Sequence, residues 1–375
     1  MRQRSLAGRE VTSIGCGDVS LAIAASRGVD SREVERSLHH ALELGLTVVD
    51  VHPEPDAEHL VGDALPTPRA LDRVVVATTV PMLSSRPGAP QRDVLPERLP
   101  MGYVQERVEA TLRATRFDAL PLVQLPLRPA WRTSSAWAEL AGTCARLERE
   151  GKVLAWGAII DDVPALVDAF AEPPPPPPPT TTPSGLIISL FDATTPAAPP
   201  PTPAKKHAPL VDEPWLASLA VPFNFCDRTA DPIFDAAKEH AKTILARRPL
   251  AGGALAGILG PGIKLVPRDD RNAVDARTLE GIALTMATLA QYVRTEPLAA
   301  RSTVAAQQFV ERHRRRDDIE CLTVAELALR FVLARGAIAL PRLHRHAFVL
   351  DAFAAMSAPP LAPDLLARIL DETSG

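Results

Sequence analysis

Between Leu46 and Leu65 the chain reads LTVVDVHPEPDAEHLVGDAL, and this stretch limits the folds open to it more than any other. Thr47 to Val51 is a short β-branched run that reads as a buried strand, with Asp50 delivered to its C-terminal end. A polar loop broken by Pro53 and Pro55 follows. Asp56 then caps a helix on which Leu60, Val61 and Leu65 share a face, and Gly62 lets that helix approach the strand closely. Strand, loop and helix together make the repeating unit of parallel α/β proteins. In barrels of such units, chemistry sits on the loops after the strands. Asp50 is therefore a catalytic candidate, although this segment by itself favours a carboxylate that caps the helix or stabilises its own loop.

Similar units recur along the chain. Ser13 to Asp18 is a short strand ending in glycines, and a helix capped by Ser31 buries Val34, Leu38, Ala41 and Leu42 before Gly45 ends it. Arg73 to Val80 is almost continuously β-branched, as strands covered on both faces are. A helix at Tyr103 to Arg116, a strand at Leu122 to Leu125 and a strand at Val153 to Ile160 complete the first half. The second half offers a helix from Pro232 to Ala241 and a strand from Lys242 to Leu250. Helices follow at Arg277 to Val293, Ser302 to His313 and Thr323 to Ala334, then a strand at Ala337 to Pro341. A chain of 375 residues, 46% of them hydrophobic, suits one large barrel or two ordinary domains. The expectation is a single (β/α)8 barrel over residues 1–375 with an insertion.

The insertion is marked by composition. Seven consecutive prolines run from Pro173 to Pro179, a threonine run follows, and a second proline-rich tract spans Pro196 to Pro203. Such a segment lacks backbone donors and is expected as an extended or disordered loop over residues 172–214. The sixth barrel strand is either Gly185 to Asp192 or Leu216 to Phe225, the second being preferred.

Formal net charge is −4, which gives no footprint for nucleic acid or for an acidic membrane surface. The basic run His313 to Arg316 is balanced by Asp317 and Asp318. Cys16, Cys144, Cys226 and Cys321 show no metal-binding or disulfide spacing. Neither a signal peptide nor a membrane-spanning run is evident, so a soluble cytoplasmic protein with reduced thiols and no metal is expected.

Val49-Asp50, Glu58, Gly62 and Leu65 resemble the aldo-keto reductase signature F-D-T-A-x-x-Y-G with its later S-E and G-x-x-L. Ser13 to Asp18 is similar to the opening S-x-x-G-L-G-T of that family, and Ala77-Thr78 to its A-T-K. Pro121 to Pro129 is similar to D-L-x-Q-x-H-x-x-P, and Leu147 to Val153 to L-x-x-E-G-K-I. Phe223-Asn224 with Asp227-Arg228 is similar to Y-N-x-x-x-R, Pro249 to Gly257 to P-L-x-x-G-x-L-x-G, and Ala328 to Leu333 to A-L-x-W-x-L. The resemblance implies a TIM barrel of aldo-keto reductase type, an oxidoreductase that uses NADP. In that family a Tyr acid, helped by Lys, His and Asp, reduces carbonyls.

Of those four groups only Asp50 has a counterpart. Thr79 stands at the Lys, Pro126 at the His, and His52, Pro53, Glu54 and Pro55 where the Tyr-Gly belongs. Ile159 and Ile160 replace the Ser-Asn pair that holds the nicotinamide amide, and Arg247 and Arg248 replace the Tyr-Ser whose aromatic ring stacks on it. What persists is the glycine turn with Leu250, Gly252 and Gly253, placed by the resemblance over the cofactor pyrophosphate, and a cationic cluster of Arg342, His344 and Arg345. Arg247, Arg248, Arg342, His344 and Arg345 read as a pocket for a phosphate or carboxylate, or as a solvated rim. The expectation is a pseudoenzyme or anion-binding protein. The alternative is an active NAD(P)-dependent oxidoreductase in which His52 or Glu54 works beside Asp50. A third role is binding of a protein partner by PxxP-like segments of the insertion.

Overall fold

The computed structural model describes residues 3–67, 71–84, 93–168, 210–293, 321 and 323–373. Eight parallel strands follow one another around a barrel in chain order: β3 (Cys16–Val19), β4 (Val48–Val51), β5 (Val75–Thr79), β6 (Leu122–Pro126), β7 (Trp156–Ile159), β8 (Leu216–Pro222), β9 (Thr243–Arg247) and β10 (Ile338–Leu340). The ring closes where Ile14 bridges Ala339, with Gly15 N and Gly17 N donating to the carbonyls of Ala339 and Pro341 at 3.0 and 2.8 Å. Closure this tight requires glycine, because a Cβ on Gly17 would lie 2.1 Å from the Leu340 carbonyl oxygen.

Strand pleating divides the apolar residues into two sets. Val48, Val75, Ala77, Leu122, Ile159, Ala220, Leu245, Ile338 and Leu340 fill the barrel interior. Val49, Val51, Val76, Val123, Leu125, Leu219, Val221, Ile244 and Ala246 face the surrounding helices. Each fully buried Val, Leu or Ile stabilises the fold by about 1.5–3 kcal/mol, and burial on both faces explains why these strands read as continuous apolar runs. The far end of the barrel is plugged by a hairpin of β1 (Gln3–Leu6) and β2 (Arg9–Thr12), joined by Ala7 and Gly8 at φ 51° and 74°. Leu6 and Val11 of this hairpin pack under the interior strands.

Several local expectations are corrected. The helix after β4 spans Pro55–Ala64 and has Glu54, not Asp56, at its N-cap. Pro55 is pre-set for the first helical position, so the helix starts earlier and Asp56 falls in its first turn. Gly62 gives room to a helix rather than to the strand: a Cβ there would meet the Thr115 carbonyl at 2.3 Å, on the helix Met101–Thr115. Glu58 ties the same two helices, accepting from Thr111 Oγ1 and Arg107 Nη2 at 2.9 and 3.1 Å. The helix Ser31–Glu43 is capped by Asp30, whose carboxylate accepts from Arg32 N at 2.7 Å, with Ser31 already inside. Gly45 does end it, at φ 89°.

The sixth barrel strand is Leu216–Pro222, hydrogen-bonded to β7 on one side and β9 on the other. The rival segment 185–192, the proline tracts of 172–209, the helix expected at 302–313 and the basic run 313–316 lie outside the described residues. No helix among the described residues is long and apolar enough to cross a membrane.

Candidate functional site

Extending the inward alternation of six of the eight strands by two residues generates much of the ring at the barrel mouth. Val48 leads to Asp50, Ala77 to Thr79, Leu122 to Gln124, Ala220 to Pro222, Leu245 to Arg247 and Leu340 to Arg342. These are the C-terminal ends of the strands, where barrels place their chemistry.

Asp50 is buried at the floor of the mouth. Its Oδ1 accepts from Gln124 Nε2 at 2.8 Å and its Oδ2 from the backbone N–H of Asp18 at 3.2 Å. Burial first, and the negative charge of Asp18 second, push its pKa up to about 6 against the opposing pull of Arg247 and the two hydrogen bonds. Asp18 stands on β3 in the left-handed region at φ 49°. Its Oδ1 takes a hydrogen bond from His52 Nδ1 at 2.8 Å, and its Oδ2 takes Arg342 Nε at 3.0 Å and Arg342 Nη2 as well. Burial works against its ionisation, but His52 and the Arg342 guanidinium outweigh it and hold the carboxyl well below the usual carboxylate range. The same hydrogen bond raises the pKa of His52 above its ordinary value. Glu54 is engaged elsewhere: its Oε1 accepts from Leu21 N at 2.5 Å and Ala22 N at 3.2 Å, at the start of the helix Leu21–Ser26.

On the opposite wall, Arg247 ends β9 and pairs with Asp161 at 2.9 Å. Arg248 follows at φ 52°, exposed, its carbonyl accepting from Asn224 Nδ2 at 2.9 Å. The chain then enters a 3₁₀ turn, Ala251–Ala256, in which Gly252 and Gly253 have φ 69° and 100°. A Cβ on Gly253 would stand 2.6 Å from Ile258 Cγ1, so the turn admits only glycine there. Arg271 braces it, donating to the Gly252 carbonyl at 3.0 Å while paired with Asp269. His344 is pushed down to about 4, by burial first and then by the positive charges of Arg27, Arg345, Arg342 and Arg271.

A cavity of about 940 Å³ joins these walls. Asp50, Arg247, Arg248 and Arg342 line it, as do Leu250, Gly252, Gly253 and His344. His52 and Glu54 sit at its margin without lining it, and Arg345 occupies the N-cap position of the helix His346–Ser357. The structure thus brings eight of the eleven sequence candidates to one cavity. Asp18 and Gln124 were not among those candidates. Gln124 had a signal in its match to the Q of D-L-x-Q-x-H, and Asp18 in being a carboxylate at a strand end, the argument that selected Asp50. Among the described residues no cluster of three or more His, Cys, Asp or Glu is arranged to hold a metal ion.

No protein-family model and no curated protein matches this sequence. Solved structures do match its shape. Glycerol dehydrogenase AKR11B4 from Gluconobacter oxydans superposes with a TM-score of 0.62 at 19% identity, over 99% of this chain and 94% of its own. Aldo-keto reductase AKR11C1 from Bacillus halodurans, in its holo form, gives 0.61 at 17% identity over 99% and 96%. An aldo-keto reductase from Klebsiella pneumoniae in complex with NADPH gives 0.55 at 19% identity over 98% and 94%. At this identity the likeness speaks for architecture: the chain has the (β/α)8 barrel fold of the aldo-keto reductases, open at the C-terminal ends of its strands.

Proposed function

We propose that the protein binds a small anionic molecule at its barrel mouth and is a pseudoenzyme with respect to nicotinamide-dependent carbonyl reduction. The observation that carries this reading is Arg248. It is exposed on the cavity wall beside the glycine turn, and among the described residues it has no carboxylate partner. A phosphate or carboxylate reaching it also enters the cavity in which burial, and after it the charges of Arg27, Arg345, Arg342 and Arg271, keep His344 neutral, and charge-assisted hydrogen bonds to a guanidinium are among the strongest available.

The reductive alternative lacks its parts. Asp50 is held by Gln124 and the Asp18 backbone, while Thr79 and Pro126, at the ends of β5 and β6, carry neither a charge nor a titratable proton near neutral pH. The Klebsiella neighbours were solved with NADP or NADPH bound, and the residues here fit one end of such a molecule only. The glycine turn and arginines suit its phosphates. The ring end does not fit: Ile159 and Ile160 are buried and apolar, Ile160 N is bonded to the Ala220 carbonyl at 2.9 Å, and Arg247 is tied to Asp161.

Thermal unfolding tests the reading. Inorganic phosphate should raise Tm where sodium chloride at equal ionic strength does not, by an amount equivalent to about 2.7 kcal/mol at a hundredfold excess over Kd. Arg248→Ala should remove most of that gain. NADPH turnover of any member of an aldehyde panel would overturn the proposal.

A further inference from the structure

Arg342, two residues past the end of β10, also reaches the cavity, yet its Nε and Nη2 both point to one oxygen of Asp18. That carboxylate is itself shared, its second oxygen bonded to His52 Nδ1 at 2.8 Å. Asp18 therefore stands where a ligand anion would stand, between one permanent cation and one that comes and goes with pH. We propose that Asp18 is a built-in competitor for Arg342, holding the guanidinium until the phosphate or carboxylate group of a small molecule takes it, whereupon protonated His52 alone neutralises the released carboxylate. This deepens the anion-binding reading above and rests on it.

The geometry makes the exchange affordable only with a proton. With Arg342 engaged elsewhere, Asp18 faces the carboxylate of Asp50, and Glu54 acts on His52 from the same loop, while Arg27, Arg247 and His344 surround the mouth. Two adjacent carboxylates without their cation repel one another. A proton on His52 relieves this, and its Nε2 has no partner among the described residues and a side chain 39% exposed, so solvent supplies the proton directly. Binding should therefore draw a proton onto His52 and weaken as pH rises through the range in which that imidazole titrates, above its ordinary value.

The test is calorimetric titration of the full chain with inorganic phosphate at pH 7.5, in two buffers of different ionisation enthalpy, with protons counted as the difference between wild type and variant because phosphate itself ionises near this pH. Asp18→Asn suits the left-handed backbone at this position, since Asn tolerates αL better than other side chains with a Cβ. It frees Arg342 and should bind phosphate at least about tenfold tighter, the equivalent of one charge-assisted hydrogen bond, with less proton uptake than wild type. His52→Gln leaves Asp18 with Arg342 alone and should bind more weakly than wild type, also with less proton uptake. Opposite signs from two residues in contact separate this role from a general loosening of the mouth, which would weaken both. Wild-type binding with Asp18→Asn no tighter, or His52→Gln taking up as many protons as wild type, overturns the competitor proposal alone. If Asp18→Asn fails to fold, the His52→Gln result decides. Absence of phosphate binding in wild type and both variants overturns the anion-site reading and this inference with it.

Discussion

Asp18 and Arg342 are 324 residues apart in sequence and joined by a forked contact, Nε and Nη2 of the arginine converging on Oδ2 of the aspartate. They meet because β3 and β10 are the two strands that close the barrel. A charged pair at the closure puts the fixed electrostatics of the mouth at the same place as its mechanical seam, and substitutions there separate the two contributions.

The seam itself depends on Gly17. Its missing Cβ lies in the space taken by the Leu340 carbonyl, which is backbone and cannot swing away. Gly17→Ala should cost more than about 3 kcal/mol or prevent folding, in line with overpacking that the surroundings cannot relieve. Gly142→Ala is the control: it sits exposed in the helix Ala136–Arg149, its added Cβ meets nothing, and it should stabilise by roughly 0.5–1 kcal/mol. Chemical denaturation of the two variants measures both, and a Gly17→Ala protein as stable as wild type would mean that the closure is looser than described.

Asp50 sets a different pH dependence. Its pKa in the folded protein, about 6, lies above the ordinary 3.8, so the folded state holds the proton more tightly than the unfolded chain does. Its contribution is therefore full below about pH 4 and lost as pH rises through about 6. Asp50→Asn keeps an acceptor for the Asp18 N–H, and its amide can donate to Gln124 Oε1, which is buried without a partner, once that side chain turns over. The variant should be more stable than wild type by roughly 1–3 kcal/mol at pH 8 and nearly equal to it at pH 4.5. Urea unfolding at the two pH values reads the difference, and equal destabilisation at both would remove Asp50 as the source.

Much of this was legible in local sequence. The β-branched runs announce β4 and β5 because parallel strands are covered on both faces, and Leu216–Pro222 was recognisable as a strand by the Phe223-Asn224 that follows it. At the start of the helix Pro55–Ala64 two local signals compete, and Pro55 at the first helical position outweighs a capping Asp56. The hairpin Gln3–Thr12 escaped notice because each strand has four residues and only Leu6 and Val11 turn inward. Asp18 shows in sequence only as a carboxylate at a strand end, and its partners do not: they come from the end of β10 and from the loop after β4, and only closure of the ring brings them together. Arg342 and Arg345 look alike in sequence. Alternation from Leu340 turns Arg342 into the mouth, while three residues later the chain has begun a helix.

His344 offers a direct view of the field inside the cavity. Burial lowers its pKa first, and Arg27, Arg345, Arg342 and Arg271 lower it further, to about 4, so it should stay neutral across pH 5.5 to 8 while His52 titrates above its ordinary value. Nothing acidic is among the causes acting on His344, and an anion at the mouth would supply that missing charge. Saturating phosphate should therefore raise the His344 pKa by cancelling part of the arginine field, without removing the burial contribution. Screening by salt acts in the same direction but weakly, because the site is partly buried and chloride does not bind at one point, so at equal ionic strength phosphate should give the larger rise. Histidine ring proton resonances, assigned by comparison with His344→Gln and His52→Gln, follow both groups through one titration with phosphate and one with sodium chloride at equal ionic strength. A His344 resonance that titrates near 6.5 in the absence of phosphate would contradict the positive field. One that stays unmoved by phosphate would place the anion away from the β10 side of the cavity, and Arg248 would then hold it alone.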